Sequence, residues 1–195
     1  TEEIRRRAQE HHTHPVIEGM GAVMPEPEYD LPLNVKGETA IYVLARISGD
    51  GNDREAREGD IFLTESERRT ILELKRQYRR FMLVLNVGGP VDLSPVMEVE
   101  NILILSQLGV QTGSALADLV LGKTYPSGKL TTTWTKWKDY PDFASFGEQD
   151  DTRYQEGIYV GYRYFDSVGK EVLFPFGYGV SYTNFEVRFK GLKLD

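Results

Sequence analysis

From Thr39 onward, apolar and polar positions fall into a repeating order. Ala40 to Ala45 (AIYVLA) is an unbroken apolar run of strand length, Phe81 to Leu85 (FMLVL) is a second and Ile102 to Leu105 (ILIL) a third. Unbroken runs suit strands buried on both faces, whereas strict alternation suits a strand with one wet face. Between the first two runs, Thr64-Glu65-Ser66-Glu67 forms a capping box, in which a hydroxyl and a carboxylate three residues on satisfy free backbone N–H groups. The box predicts a helix to about Tyr78 with Ile71, Leu72 and Leu74 facing inward. A short loop or helix leads to the third strand. Gln111 to Leu121 then predicts another helix, with Ala115, Leu116, Leu119 and Val120 on one side and Gly122 placed to stop it. Strand, helix, strand, helix predicts an α/β fold: a three-layer sandwich with a mainly parallel sheet and helices on both faces. Ligands of such sheets bind at the carboxyl ends of the strands. Two loops leave strands at that end, Ser48-Gly49-Asp50-Gly51-Asn52-Asp53-Arg54 and Asn86-Val87-Gly88-Gly89-Pro90.

The flanks lack this order. Residues 1–38 read as a linker or surface segment: a polar start, then His11, His12 and His14 beside Pro15, then a stretch holding Pro25, Pro27 and Pro32. Clustered histidines suit metal binding, but no carboxylate pattern accompanies these, and a loop is the favoured reading. From Pro126 the chain becomes rich in Tyr, Phe, Trp, Gly and Pro, with short strands at most expected. Phe185 to Phe189 (FEVRF) alternates and looks like the opening strand of a further β-type module covering 184–195. The organised domain is thus expected over 39–183. The start at Thr1 and the abrupt stop at Asp195 suggest a fragment.

Composition narrows the function classes. With 195 residues and 40% hydrophobic positions, the chain suits one cored domain with a short piece of a second. The formal net charge is −7, opposite to that of a duplex nucleic-acid binder. Its basic groups, Arg5 to Arg7 and the run from Arg68 to Arg80, are interleaved with Glu as on a solvated helix face. There is no cysteine, which excludes disulfides, thiolate metal sites and cysteine nucleophiles. No segment approaches the roughly 20 apolar residues of a membrane helix. The sequence leaves the compartment open, with the cytoplasm slightly favoured over secretion for a soluble chain.

The glycine-flanked loop holds Asp50, Asp53 and Arg54. Gly49 and Gly51 let the backbone approach a ligand closely. A phosphate cradle would want a Lys and free N–H groups, and two carboxylates would repel a phosphate. Two readings remain from local chemistry: a functional carboxylate at Asp50, or a turn with an Asp53–Arg54 pair. The later segments Tyr154 to Asp166 and Phe174 to Tyr182 offer aromatic rings with polar tips. These suit sugar faces and equally suit a packed layer.

Five segments, in order, resemble glycoside hydrolase family 3, the family of many β-glucosidases, β-xylosidases and N-acetylglucosaminidases. Arg46-Ile47-Ser48-Gly49-Asp50-Gly51-Asn52-Asp53-Arg54 resembles its RxSGEGxDR loop. Leu85 to Pro90 resembles LNxGxP, Tyr125 to Leu130 resembles NPSGKL, and the two aromatic segments resemble YxEGIYVGYRYFD and FPFGYGLSYTxF. The resemblance implies the non-barrel α/β sandwich domain, followed by the start of a fibronectin-III-like module. It implies a retaining hydrolase of terminal β-linked sugars, β-glucosidase-like, whose nucleophile lies on a (β/α)8 barrel that no part of this chain resembles. The general acid/base of many members is the Glu of SGEG; the matching position here is Asp50, one methylene shorter. The resemblance then makes Asp53 and Arg54 loop-shaping or sugar-contacting residues, and Glu156 and Arg163 a structural pair or substrate contacts. It implies a glycoside substrate, a barrel as partner, and no metal or organic cofactor. Two other classes remain in view: a non-catalytic carbohydrate-binding or scaffold module of the same fold, and a flavodoxin-like nucleotide-binding domain, which would leave the aromatic motifs unexplained.

Overall fold

The computed structural model describes residues 36–47, 54–141, 151 and 153–192. Strand β1 (Thr39–Ala45), helix α1 (Glu65–Gln77), strand β2 (Arg80–Asn86), a 3-10 turn (Ser94–Val96) and strand β3 (Ile102–Ile104) build the organised half. Helix α2 (Thr112–Val120), a second 3-10 turn (Trp137–Asp139) and helix α3 (Tyr162–Val168) follow. The sheet is open, in the order β1-β2-β3, and both pairings are parallel. This is the expected α/β sandwich architecture, with no barrel among the described residues.

The register explains the core. Ala40, Tyr42 and Leu44 stand opposite Phe81, Leu83 and Leu85, while Ile102 and Ile104 stand opposite Leu83 and Leu85. All point to one face of the sheet, because side chains alternate along a strand. Helix α1 lays Ile71 and Leu74 on that face, and Val91, Leu93, Val96, Val99 and Trp134 close the cluster. Each fully buried aliphatic side chain here contributes on the order of 1.5–3 kcal/mol.

The second face departs from the sequence expectation. Val84 is buried there, but Ile41 and Val43 on the edge strand are 42% and 49% exposed. The apolar run of β1 is therefore covered on one face and open on the other among the described residues. Helix α2 takes the expected place and stops where Gly122 turns left-handed, φ +69°, yet it buries no residue fully. Helix α3 was not expected in the aromatic stretch. It starts after Gly161 and ends at Gly169, whose φ of 63° and N–H bond to the Phe165 carbonyl form a left-handed cap. The alternating Phe185 to Phe189 forms no strand; all three of its apolar residues are more than 80% exposed. An alternating segment needs a neighbouring strand to bond with, and none pairs with it among the described residues.

Helix α1 is fastened to the sheet by charge as well as by apolar contact. Its capping box forms as expected: Glu67 N donates to Thr64 Oγ1 at 3.1 Å, and Thr64 N donates to Glu67 Oε2 at 2.8 Å. The same Glu67 carboxylate receives Arg46, the residue after β1, through Nη1 and Nη2, both at 2.7 Å. Nothing in the local pattern announces this buried pair, because its members are 21 residues apart.

The aromatic half is tied on by a short antiparallel contact. Trp134 and Phe174 exchange backbone bonds at 2.8 and 2.9 Å, and Leu130 is bonded to both Gly177 and Tyr178. The Tyr125–Leu130 and Phe174–Tyr182 motifs are thus neighbours in space. Gly179 is obligatory there: a Cβ would lie 2.5 Å from the Gly128 carbonyl oxygen and 2.9 Å from Lys129 Cδ.

Two stability predictions follow from this packing. Glu67→Ala should lower unfolding stability by about 3–5 kcal/mol, because it strands a buried guanidinium, whereas Thr64→Ala, which removes only the cap, should cost about 1 kcal/mol. Equal losses in urea titrations of the two variants would show that the pair adds nothing to the cap. Gly179→Ala should cost about 1–3 kcal/mol by overpacking against backbone. Gly128→Ala, with open space at its Cβ, should leave the urea midpoint nearly unmoved.

Candidate functional site

Because the strands are parallel, their carboxyl ends share one edge of the sheet. Arg46 leaves β1 there, Asn86 to Pro90 leave β2, and Gln107 follows β3. The three are bonded together: Arg46 N donates to the Asn86 carbonyl at 3.2 Å, and Gln107 Nε2 donates to the Arg46 carbonyl at 2.8 Å. The edge to which sequence reasoning assigned the chemistry is therefore a hydrogen-bonded rim.

Of the candidate residues, Asp50 and Asp53 lie outside the described residues. Arg54 is described, and three of its five guanidinium N–H groups bond within the protein. Nε donates to Asp60 Oδ1 at 2.7 Å, Nη2 to the Asp60 carbonyl at 2.8 Å and Nη1 to the Pro90 carbonyl at 2.6 Å. It thus links the loop after β1 to the loop after β2. Gly89 matters to this link: a Cβ there would meet Arg54 Nη1 at 3.4 Å, which is tight contact.

Asp60 is the residue that sequence reasoning missed. Besides Arg54, it accepts the Glu55 N–H on Oδ2 at 2.6 Å. Burial raises its carboxyl, but the bonds from Glu55 and Arg54 outweigh burial and hold it below the ordinary aspartate range. No motif marks it. The only local sign is the turn at Gly59, with its φ of 79°, set among Arg54 and Arg57.

Glu156 and Arg163 are not joined. Glu156 lies in a turn and is half-buried, its carbonyl accepting the Tyr159 N–H at 2.9 Å. Arg163, on α3, lies 5.5 Å above the ring of Tyr162, and that ring stacks on Phe176 at 4.7 Å. In place of the expected Glu156–Arg163 pair, the Arg163 guanidinium is set over an aromatic face.

Beside Arg54 opens a recess of about 230 Å³, lined by Gly89, Pro90, Asp92, Trp137 and Tyr140 among others. Its polar groups are already engaged. Asp92 accepts the Ser94 and Trp137 N–H groups, both at 2.9 Å. The Tyr140 hydroxyl donates to the Thr133 carbonyl at 2.9 Å, and burial pushes its phenol above the ordinary range. The recess thus presents ring faces and aliphatic walls, not a proton-transfer group. Among the described residues no cluster of His, Asp or Glu could hold a metal ion.

The family model for the glycosyl hydrolase family 3 C-terminal domain matches residues 22–182. Among curated proteins, β-glucosidase A of Butyrivibrio fibrisolvens is 37% identical over 178 residues, covering 76% of this chain and 21% of that enzyme. A β-glucosidase of Ruminococcus albus is 36% identical, covering 81% of this chain and 17% of its own length. Among solved structures, β-glucosidase 3B of Thermotoga neapolitana in complex with glycerol superimposes with a TM-score of 0.75 at 33% identity, over 98% of this chain and 30% of that one. A β-glucosidase of Paenibacillus barengoltzii gives a TM-score of 0.74 at 37% identity, over 81% of this chain and 18% of that one. The chain spans about a fifth of the length of the curated relatives it matches. With the family model covering most of its length, and the fold shared with these enzymes, the chain belongs to glycosyl hydrolase family 3, as a C-terminal domain of that family.

Proposed function

We propose that this chain supplies the general acid/base of a retaining glycoside hydrolase acting on terminal β-linked sugars, and that Asp50 is that residue. The nucleophile belongs to a (β/α)8 barrel absent from this chain. In such a mechanism one carboxylate attacks the anomeric carbon to form a glycosyl-enzyme, while a second protonates the leaving oxygen and then activates water. The observation that supports the reading is where the two residues flanking this segment are held. Asp50 lies between Arg46 and Arg54, two residues held at the carboxyl-end rim of a parallel sheet, where the fold class binds ligands. The relatives' names, β-glucosidases, support the substrate class.

Arg54 shapes the loop or contacts sugar: Asp60 and Pro90 take three of its five N–H donors. Asp53 shapes the loop or contacts sugar hydroxyls. Glu156 and Arg163 stand behind these as candidate substrate contacts. Residues 39–183 form the sandwich domain in this reading, and 184–195 begin a fibronectin-III-like module. The Asp at position 50, where the family pattern has Glu, favours one competing reading, a scaffold module without acid/base function.

Asp50→Ala in the full-length protein separates the two. Hydrolysis of an alkyl glucoside should fall by about 100- to 10,000-fold. With a dinitrophenyl glucoside, azide should restore turnover and yield a glycosyl azide. Unchanged hydrolysis of the alkyl glucoside would favour the scaffold. The isolated chain of 195 residues should not hydrolyse nitrophenyl β-glucoside, because it lacks a nucleophile; turnover by that chain would sink the requirement for a barrel.

A further inference from the structure

Two arginines flank the segment that carries Asp50, and both reach the same atom. Arg46 Nε and Arg54 Nη2 each donate to the Asp60 carbonyl oxygen at 2.8 Å. A carbonyl oxygen has two lone pairs, so a single peptide group receives the entry and the exit of the loop. The Asp60 carboxylate adds a second grip on the exit side, through Arg54 Nε at 2.7 Å and the Glu55 N–H at 2.6 Å.

The gripping residue is itself fixed. Asp60 sits in a turn closed by Gly59 N to the Phe62 carbonyl and Phe62 N to the Arg57 carbonyl, both at 3.0 Å. The next residue, Ile61, is buried and accepts the Asp92 N–H at 2.9 Å, which ties the turn to the chain after β2. On the entry side, Arg46 is locked by the Glu67 carboxylate. The hydrogen bonds therefore run without a break from helix α1, through Arg46, Asp60 and Arg54, to Pro90.

We propose that Asp60 is a positioning residue: it clamps both stems of the Asp50 loop and so sets how far the shorter acid/base reaches. This rests on the acid/base reading given above. An Asp reaches one methylene less than the Glu of the family pattern, and a misplacement of about 1 Å costs on the order of 100-fold in rate. A short acid leaves little tolerance for stems that move. A clamp at the stems removes that motion without contacting the sugar. The clamp is also charge-balanced, because each arginine is matched by its own carboxylate, Arg46 by Glu67 and Arg54 by Asp60.

The test uses Asp60→Ala and Asp60→Asn in the full-length protein, with two readouts. In hydrogen exchange, peptides at the exit stem should lose protection in Asp60→Ala, which removes the carboxylate holding Arg54 and the Glu55 N–H, while entry-stem peptides, held by the retained Asp60 carbonyl, and β2 peptides keep theirs; Asp60→Asn, which keeps an acceptor oxygen, should lie between. Unchanged exit-stem protection overturns the clamp and leaves the acid/base reading intact. In kinetics, Asp60→Ala should cut kcat/KM for an alkyl glucoside by about 10- to 100-fold, while an activated dinitrophenyl glucoside, which needs no proton, is nearly spared. Equal losses on both substrates overturn the positioning role, since a general folding defect does not discriminate between leaving groups. Failure of the acid/base reading itself is read separately, from Asp50→Ala.

Discussion

The organised half of this chain depends on one buried ion pair, Arg46 with Glu67. The side chains are 2% and 10% exposed, and both guanidinium–carboxylate bonds are 2.7 Å. A guanidinium has five N–H donors, and all five are used here: two on Glu67, and one each on the carbonyls of Ala45, Asp60 and Phe62. Taking two charges out of water costs several kcal/mol per ion, and only full satisfaction offsets it. The pair is therefore less a source of stability than a constraint. The end of β1, the turn at Asp60 and the first turn of α1 must take up their places together, because any one of them out of place leaves a buried donor empty.

Glu67 shows how this constraint reaches the helix. Its carboxylate closes the capping box on Thr64 and holds Arg46 at once. A cap is ordinarily a local device that sets where a helix starts. Here it also sets where the helix starts relative to the sheet, since Arg46, the residue after β1, binds the same carboxylate. The N-terminus of α1 is pinned at the carboxyl-end rim, beside the loops where such folds bind ligands.

What was legible in the sequence was what is local. The capping box, the three apolar strands and the glycine stop of α2 each rest on residues within one or two turns of one another, and each formed where expected. Long-range partners were not legible. The Arg46 and Arg54 side chains were visible in the loop motif and Glu67 in the capping box, but nothing marked Glu67 as the partner of Arg46, and Asp60 carries no mark at all. Helix α3 escaped notice because its aromatic residues show no 3.6-residue stripe; its limits are set by Gly161 and Gly169. The unbroken apolar run of β1 suggested two covered faces, yet Ile41 and Val43 are open. Periodicity reports that a face is apolar; it does not report what lies against it.

The balance of charge around the loop bears on why arginines serve as its anchors. A general acid must hold its proton near the working pH, and an unpaired cation within about 4–6 Å would favour the charged carboxylate instead. Anchoring both stems with arginines would be self-defeating if the arginines were free. Pairing Arg46 with Glu67 and Arg54 with Asp60 keeps the fork geometry that makes arginine a good anchor and cancels the charge that would make it a poor neighbour. The Asp60 carboxyl, held below the ordinary aspartate range by the Glu55 N–H and Arg54, stays ionised in mildly acidic solution. In the proposed mechanism the anchor therefore remains neutral as a whole while the acid/base between the stems gives up and regains its proton.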